Sequence, residues 1–340
     1  MKNVKAIIVG FGVVGKGVAK VLQTKRKELE HDYNAKVSVV AVCNSKGCVI
    51  DESGAGLDLE ELVELADKKK FESHKKFQKM KGADAIESVK ADILIEATPT
   101  DIKTGEPGTA NFLAAFKSGK HVITSNKGPL AVNFQKLMGE AKRKNLEMRF
   151  EATVCGGMPV FSLVRNGLQL NKIKSVRGIL NGTTNFILTK MLEDKVSFES
   201  ALKEAQELGY AEADPTYDIE GIDAAAKVVI LANALLGINA SFKDVKVTGI
   251  TKVTAEAMEL ANSQGFVIKL IGEISESGSL EVSPRLIPKV HPLNVKGSLN
   301  ALQIDTDLAK EVFVVGRGAG QIETASAIVS DLVDIINRRF

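Results

Sequence analysis

The sequence predicts an α/β protein in which a doubly wound parallel sheet opens the chain, is interrupted by an inserted α+β region, and is rejoined at the C-terminus. Three observations predict it. A β-branched apolar run at 4–9 stops at Gly10, apolar residues then recur at helical spacing over 13–30, and a second buried run follows at 37–42. Strand, glycine turn, helix and strand in this order form a βαβ unit, which demands parallel pairing and right-handed crossovers. The middle of the chain loses that alternation. Its end restores it, with an apolar run at 312–315, Gly316, and a helical pattern over 324–337.

The remaining elements follow in order. Short apolar runs at 93–97 and 121–124 extend the parallel sheet, with a helix at 110–117 between them. Strands are expected at 149–154, 173–180, 245–249 and 267–274, and helices at 161–167, 186–192, 198–208 and 223–236. This places a Rossmann-type dinucleotide-binding domain at 1–130 plus 312–340 and the inserted region at 131–311. No internal repeat or low-complexity tract interrupts either.

Composition narrows the function classes. The 340 residues are enough for two cores, and 44% hydrophobic with 26% charged residues is ordinary for a globular chain. A formal charge of +3 is too small and too dispersed for a nucleic-acid binder, and the densest basic run, Lys68 to Lys70 with Lys75 and Lys76, reads as a solvated face. Cys43, Cys48 and Cys155 form no CxxC pair and no disulfide framework, which favours a reducing compartment. No cationic leader with an apolar run opens the chain, and the apolar stretch at 228–238 is broken by Asn233 and too short to span a bilayer. A cytoplasmic protein that binds neither membrane nor nucleic acid is expected.

The chemistry begins at Gly10-Phe11-Gly12-Val13-Val14-Gly15, a GxGxxG pattern between the first strand and first helix. There the glycines permit a tight turn and close approach of a pyrophosphate, whose charge the free N–H groups of the helix start accept. An NAD-selective site places Asp or Glu at the end of the second strand, but this chain has Cys43, Asn44, Ser45 and Lys46. NADP is favoured, with NAD left open and Lys46 readable either as a phosphate contact or as a solvated loop residue. Lys127, following the strand that ends at Thr124, and Thr98, following the neighbouring strand, point to the crevice where ligands of such sheets bind.

The segment 209–223 carries Glu212, Asp214, Asp218, Glu220 and Asp223 into an apolar helix holding Lys227. Asp223 and Lys227 lie one turn apart on one face, and the residues after Lys227 are apolar on every side. A lysine is expensive to bury unless paired, and burial makes its proton transferable, so Lys227 is the general acid/base candidate, acting as a neutral amine. The alternative is a lysine that snorkels to water beside an acidic loop. The acids lack the alternation of an EF-hand, and His121 and His291 have no ligand-spaced partners.

With these residues in view, the chain resembles homoserine dehydrogenase. The matching blocks are 10–15, Ser125-Asn126-Lys127, Glu151 through Pro159, Gly178 through Asn185, Gly209 through Lys227, and Gly318-Ala319-Gly320 with 324–327. The resemblance implies reversible interconversion of L-homoserine and L-aspartate 4-semialdehyde with NADP or NAD, in threonine, methionine and isoleucine biosynthesis. It implies that Lys227 is the acid/base residue and that Lys127 assists at the reacting oxygen or nicotinamide. Glu212, Asp218 and Asp223 would hold the substrate amino group or orient Lys227, with Gly182 and Thr183 lining the substrate site. Thr98, Ser125 and Gly320 would contact the cofactor. A sodium-like ion is implied near Glu151, Val154, Gly156 and Met158, largely on backbone oxygens; Cys155 stands where the family often has glycine. A homodimer is implied, built by the segment after Leu130 and the strands before Val312, so that 131–311 serves substrate binding and dimerisation. The chain ends at Phe340, directly after the returning helix, so no appended regulatory domain is expected, and the first strand begins at Val4, so no kinase fused ahead of it is expected. Two other readings stay open: another NADP-dependent semialdehyde or hydroxy-acid dehydrogenase, and a dinucleotide sensor without catalysis.

Overall fold

The opening apolar run becomes β1 (Lys2–Val9) in a computed structural model that describes residues 1–340. The chain divides into two units, Met1–Thr153 with Gly320–Phe340, and Val154–Ala319.

In the first unit β1 is followed by α1 (Val13–Thr24), α2 (Arg26–Asp32), β2 (Ala35–Cys43), β3 (Cys48–Ile50), α3 (Leu59–Asp67), β4 (Phe77–Gln78) and α4 (Gly82–Ser88). Then come β5 (Ile93–Glu96), α5 (Gly108–Lys117), β6 (His121–Thr124), α6 (Lys127–Arg143) and β7 (Met148–Arg149). The sheet order is β4-β3-β2-β1-β5-β6-β7. From β2 to β7 every pairing is parallel, while β3 and β4 add an antiparallel edge. All four residues of β5 are buried, as a strand covered on both faces requires. The helix expected over 13–30 breaks at Lys25, whose φ of −99° and ψ of 15° cap both α1 and α2. The C-terminal helix Gln321–Arg339 lies on α1 so closely that a Cβ on Gly17 would stand 2.6 Å from the Gln321 carbonyl. Its Ala325, Ile328 and Leu332 share a core with Val18 and Leu22.

The second unit comprises α7 (Val160–Ser162), β8 (Ile173–Ile179), α8 (Gly182–Glu193), α9 (Phe198–Glu207), α10 (Thr216–Ile219), α11 (Ile222–Leu235) and β9 (Val245–Val247). It continues with α12 (Ala255–Ser263), β10 (Phe266–Ile274), β11 (Leu280–Pro288), β12 (Leu299–Thr306) and β13 (Glu311–Arg317). Its sheet runs β13-β12-β8-β10-β11-β9, antiparallel except between β9 and β11. The sequence reading missed β11 because proline interrupts it. Pro284 is tolerated there because β9 pairs only with Leu280 to Val282, leaving the Pro284 stretch unpaired on that side.

Four expectations need correction. The boundaries at 130 and 312 move, because β7 pairs with β6 in the first sheet and β13 forms a hairpin with β12 in the second. The strand expected over 149–154 is β7 followed by a tight helical turn, Glu151–Thr153. The helix expected over 161–167 is a short α7 that widens into a π-type turn, Leu163–Gly167. Cys43 and Cys48 are not free thiols: the β2–β3 hairpin register sets them opposite each other and they form a disulfide, while Cys155 is buried and belongs to no disulfide.

Candidate active site

In the first unit the turn after β1 has the shape a dinucleotide needs. Gly10 has φ of +98°, and a Cβ there would stand 2.3 Å from the Ala97 backbone; a Cβ on Gly15 would stand 2.1 Å from the Gly10 carbonyl. Gly12 faces open space, caps α1 without a side-chain hydrogen bond, and no acidic residue occupies the first turn of α1. The N–H groups at this helix start are therefore suited to a pyrophosphate. Phe11 is buried against the Phe71 ring at 5.8 Å, so its side chain serves the core.

At the end of β2, the Asn44 Oδ1 accepts the N–H groups of Lys46 (2.8 Å) and Gly47 (3.2 Å), closing the turn that the disulfide also clamps. The Lys46 ammonium pairs with Glu72 at 2.9 Å on the exposed surface. Across the sheet, the Ser125 N–H donates to the Glu96 carbonyl at 3.2 Å. The Thr98 hydroxyl donates to the Glu96 carboxylate and accepts from the Asn126 amide at 3.1 Å. Asn126 then caps α6, its Oδ1 accepting the Gly128 N–H at 3.0 Å. Lys127 is half-buried as the first residue of α6.

The second unit gathers its ionisable groups where β8 runs into α8. Lys227 on α11 is 7% exposed, donating to Asp223 Oδ2 at 2.7 Å and to the Leu180 carbonyl at 2.6 Å. Burial alone would lower its pKa, but the Asp223 carboxylate, together with Cys155 and Asp218, overcomes that and raises it. Lys227 is thus an ammonium, not the neutral amine that burial predicted. Two of its three hydrogens have acceptors among the protein atoms, leaving one to give.

Asn181, the cap of α8, organises the neighbouring acids. Its Oδ1 accepts the Thr184 N–H, and its Nδ2 reaches Asp218 Oδ1 (2.6 Å) and Asp223 Oδ2 (2.9 Å). Burial raises the pKa of Asp218, against the Asn181 hydrogen bond that lowers it. Gly182 and Thr183 form the first turn of α8, which has no acidic residue, and the Thr183 hydroxyl donates to the Tyr210 carbonyl at 2.8 Å. This arrangement can exchange a proton at Lys227, accept an ammonium at Asp218 and Asp223, and accept a carboxylate at the α8 N-terminus.

Two family models cover most of the chain: the homoserine dehydrogenase NAD-binding domain over residues 10–151 and homoserine dehydrogenase over 159–333. Over 333 residues the chain is 53% identical to the homoserine dehydrogenase of Methanocaldococcus jannaschii, covering 97% of this chain and 98% of that one. The chain belongs to the homoserine dehydrogenase family.

Solved homoserine dehydrogenases share its fold. The putative enzyme of Archaeoglobus fulgidus superposes with a TM-score of 0.89 at 46% identity, covering 98% of this chain and 99% of that one. A hyperthermophilic archaeal homoserine dehydrogenase mutant in complex with NADPH gives 0.86 at 30% identity, covering 99% and 98%. The chain is accordingly an NAD(P)-binding oxidoreductase that interconverts L-homoserine and L-aspartate 4-semialdehyde. No helix is long and apolar enough to cross a membrane.

Against this homoserine dehydrogenase frame, the second unit brings together Asp218, Asp223, Lys227, Gly182 and Thr183, while Glu212 is exposed and its backbone carbonyl accepts from Gln206 at 3.1 Å. In the first unit, Gly10 to Gly15, Asn44, Lys46, Thr98, Ser125 and Lys127 all fall at the C-terminal edge of the sheet, and Gly320 caps the C-terminal helix. Asn181 was not singled out from sequence. Its position before Gly182, at a helix start where Asn is favoured, was the available signal.

Proposed function

We propose that Lys227 moves the proton of the reaction, on the observation that a buried ammonium held by Asp223 and the Leu180 carbonyl keeps one hydrogen uncommitted. A nicotinamide held in the first unit would supply the hydride acceptor or donor. When the aldehyde is reduced, Lys227 gives its free hydrogen to the oxygen that becomes the homoserine hydroxyl; in oxidation the deprotonated amine takes that proton back. Lys127 assists at the reacting oxygen or nicotinamide. Asp218 and Asp223, with Glu212, hold the substrate ammonium or orient Lys227, and the N–H groups of Gly182 and Thr183 hold the substrate carboxylate. Because its ordinary state is the ammonium, oxidation of homoserine should accelerate as pH rises toward the alkaline range, while aldehyde reduction should not need that rise. A spectrophotometric assay in both directions tests this; an oxidation rate that is flat in pH would count against Lys227.

NADP is the preferred cofactor in this reading. A 2′-phosphate meets neutral Asn44 and Ser45, and Lys46 is held only by an exposed ion pair of the kind worth about 0–1 kcal/mol, so it can turn to the phosphate. Thr98, Ser125 and Gly320 complete the cofactor contacts. Tighter binding of NAD than of NADP in direct titration would reject the preference.

The same reading assigns a sodium-like ion to the segment carrying Glu151, Val154, Gly156 and Met158. Cys155 and Gly156 have successive positive φ values, 58° and 54°, a turn that presents carbonyl oxygens, and Glu151 is buried; hard oxygen donors suit such a cation. It would fix this segment and supply positive charge. Exchange of sodium for choline should lower thermal stability. The enzyme is further taken as a cytoplasmic homodimer; light scattering at micromolar concentration and cell fractionation test these two assignments.

A further inference from the structure

Glu96 has no part in the proton transfer above, yet it is the most completely buried carboxyl of the first unit, 0% exposed at the end of β5. No lysine or arginine bonds to it. Its carboxylate is held instead by the Thr98 hydroxyl, the Thr98 N–H at 3.2 Å, the Thr124 hydroxyl at 3.1 Å and the Asn111 amide at 3.4 Å. A buried carboxyl without a cation is costly, and tying two strand ends together would need only an amide. The location suggests what offsets the cost. Val9 pairs with Glu96 across β1 and β5, and the Ala97 backbone is the surface on which the Gly10 turn closes. With the adenosine ribose read at the end of β2, on one side of β1, the nicotinamide half of a dinucleotide falls over the ends of β5 and β6, on the other.

The nicotinamide ring is cationic when oxidised and neutral when reduced. We infer that Glu96 makes this cofactor site discriminate between the two redox states, its carboxylate favouring the oxidised ring. The inference rests on the dinucleotide reading of the first unit and adds a preference that the reading does not contain. Burial raises the proton affinity of Glu96 and its hydrogen bonds oppose that rise, so the preference should strengthen as pH increases and the carboxyl ionises. The charged groups on the surrounding elements are engaged elsewhere or distinguishable by test. Lys117 of α5 pairs with Glu87, Asp101 caps its own turn through Lys103 and Thr104, and the His121 ring at the far end of β6 accepts the Glu147 N–H. The lysines of β1, Lys2 and Lys5, lie toward its opposite end, and Lys127 opens α6.

The test is fluorescence titration of NADPH, with NADP+ as competitor, from about pH 5.5 to about pH 9, upward from the ordinary carboxylate range. In the wild-type protein the affinity ratio of NADP+ to NADPH should rise with pH. Glu96→Gln should lower that ratio roughly tenfold at the upper end and flatten its pH dependence, which separates Glu96 from Lys127. Equal weakening of both forms by Glu96→Gln, or a ratio independent of pH in the wild type, overturns the inference while leaving dinucleotide binding intact. Failure of both forms to bind the wild type would overturn the dinucleotide reading instead. Should Glu96→Gln not fold, Thr124→Val keeps the carboxyl but removes a donor to it and must move the midpoint of the wild-type pH dependence upward; an unmoved midpoint overturns the inference.

Discussion

Two lysines are buried in the second unit, and they have opposite chemistry. Lys227 is 7% exposed and Lys269, on β10 beneath α8, is 3% exposed. Lys269 donates to three neutral oxygens: Asn185 Oδ1 at 2.7 Å, the Val295 carbonyl at 2.8 Å and Thr189 Oγ1 at 3.2 Å. With no carboxylate in contact, burial pushes its pKa down to about 8. Lys227 meets the same burial but touches Asp223, and its pKa rises. Burial therefore does not decide how a lysine titrates; its partners do. They also decide whether it can act. Lys269 has an acceptor for each ammonium hydrogen and ties α8 to the chain near Val295, whereas Lys227 has one hydrogen left over.

The largest expected effect comes from removing the lysine with the spare donor. Lys227→Ala should lower kcat by roughly 10²-fold or more while cofactor affinity stays close to wild type. Arginine should not restore the rate, since a guanidinium does not give up its proton. A folded, cofactor-binding Lys227→Ala enzyme with wild-type kcat would move the proton transfer elsewhere, with Lys127 the next candidate.

Asp223→Asn should convert Lys227 toward the Lys269 condition. Without the anion, burial prevails, and the alkaline limb of homoserine oxidation should shift to lower pH by at least about one unit. The limiting rate should fall roughly tenfold because the amine loses an orienting contact. A limb that stays in place would mean that Asp223 does not set the proton affinity of Lys227.

Lys269→Met should act on stability alone. It strands the Asn185 and Val295 acceptors, a loss on the order of 1–3 kcal/mol in denaturant unfolding, and should leave the pH profile of kcat unmoved. The sign of its pH dependence follows from a folded pKa of about 8 below the ordinary 10.5. Between those values the folded state binds fewer protons than the unfolded state, so wild-type stability relative to Lys269→Met should grow as pH rises through that window. For Lys227, whose folded pKa is raised, the contribution should persist through the ordinary lysine range and vanish only above it. A constant wild-type to Lys269→Met difference from about pH 7.5 to about pH 10 would remove the contrast between the two lysines.

The two lysines also mark how far residue patterns reach. The βαβ opening, the GxGxxG turn, the apolar helix around Lys227 and the i, i+4 spacing of Asp223 were legible because each is local: periodicity and turn chemistry act over a few residues. Registers and solvation were not. Whether Cys43 meets Cys48 depends on how β2 pairs with β3, and whether 312–315 completes the first sheet or the second depends on its hairpin with β12. Glu96 read as the last residue of an apolar strand, and nothing near it in sequence told that its carboxyl is enclosed by groups from α5 and β6. The protonation of Lys227 was misjudged for the same reason. Sequence determined that a lysine would be buried beside an aspartate, but its second acceptor, Leu180, lies 47 residues away, and Asn181, which joins Asp223 to Asp218, lies 42 residues from Asp223. A pKa is a sum over all neighbours in space, and only the tertiary structure decides which neighbours those are.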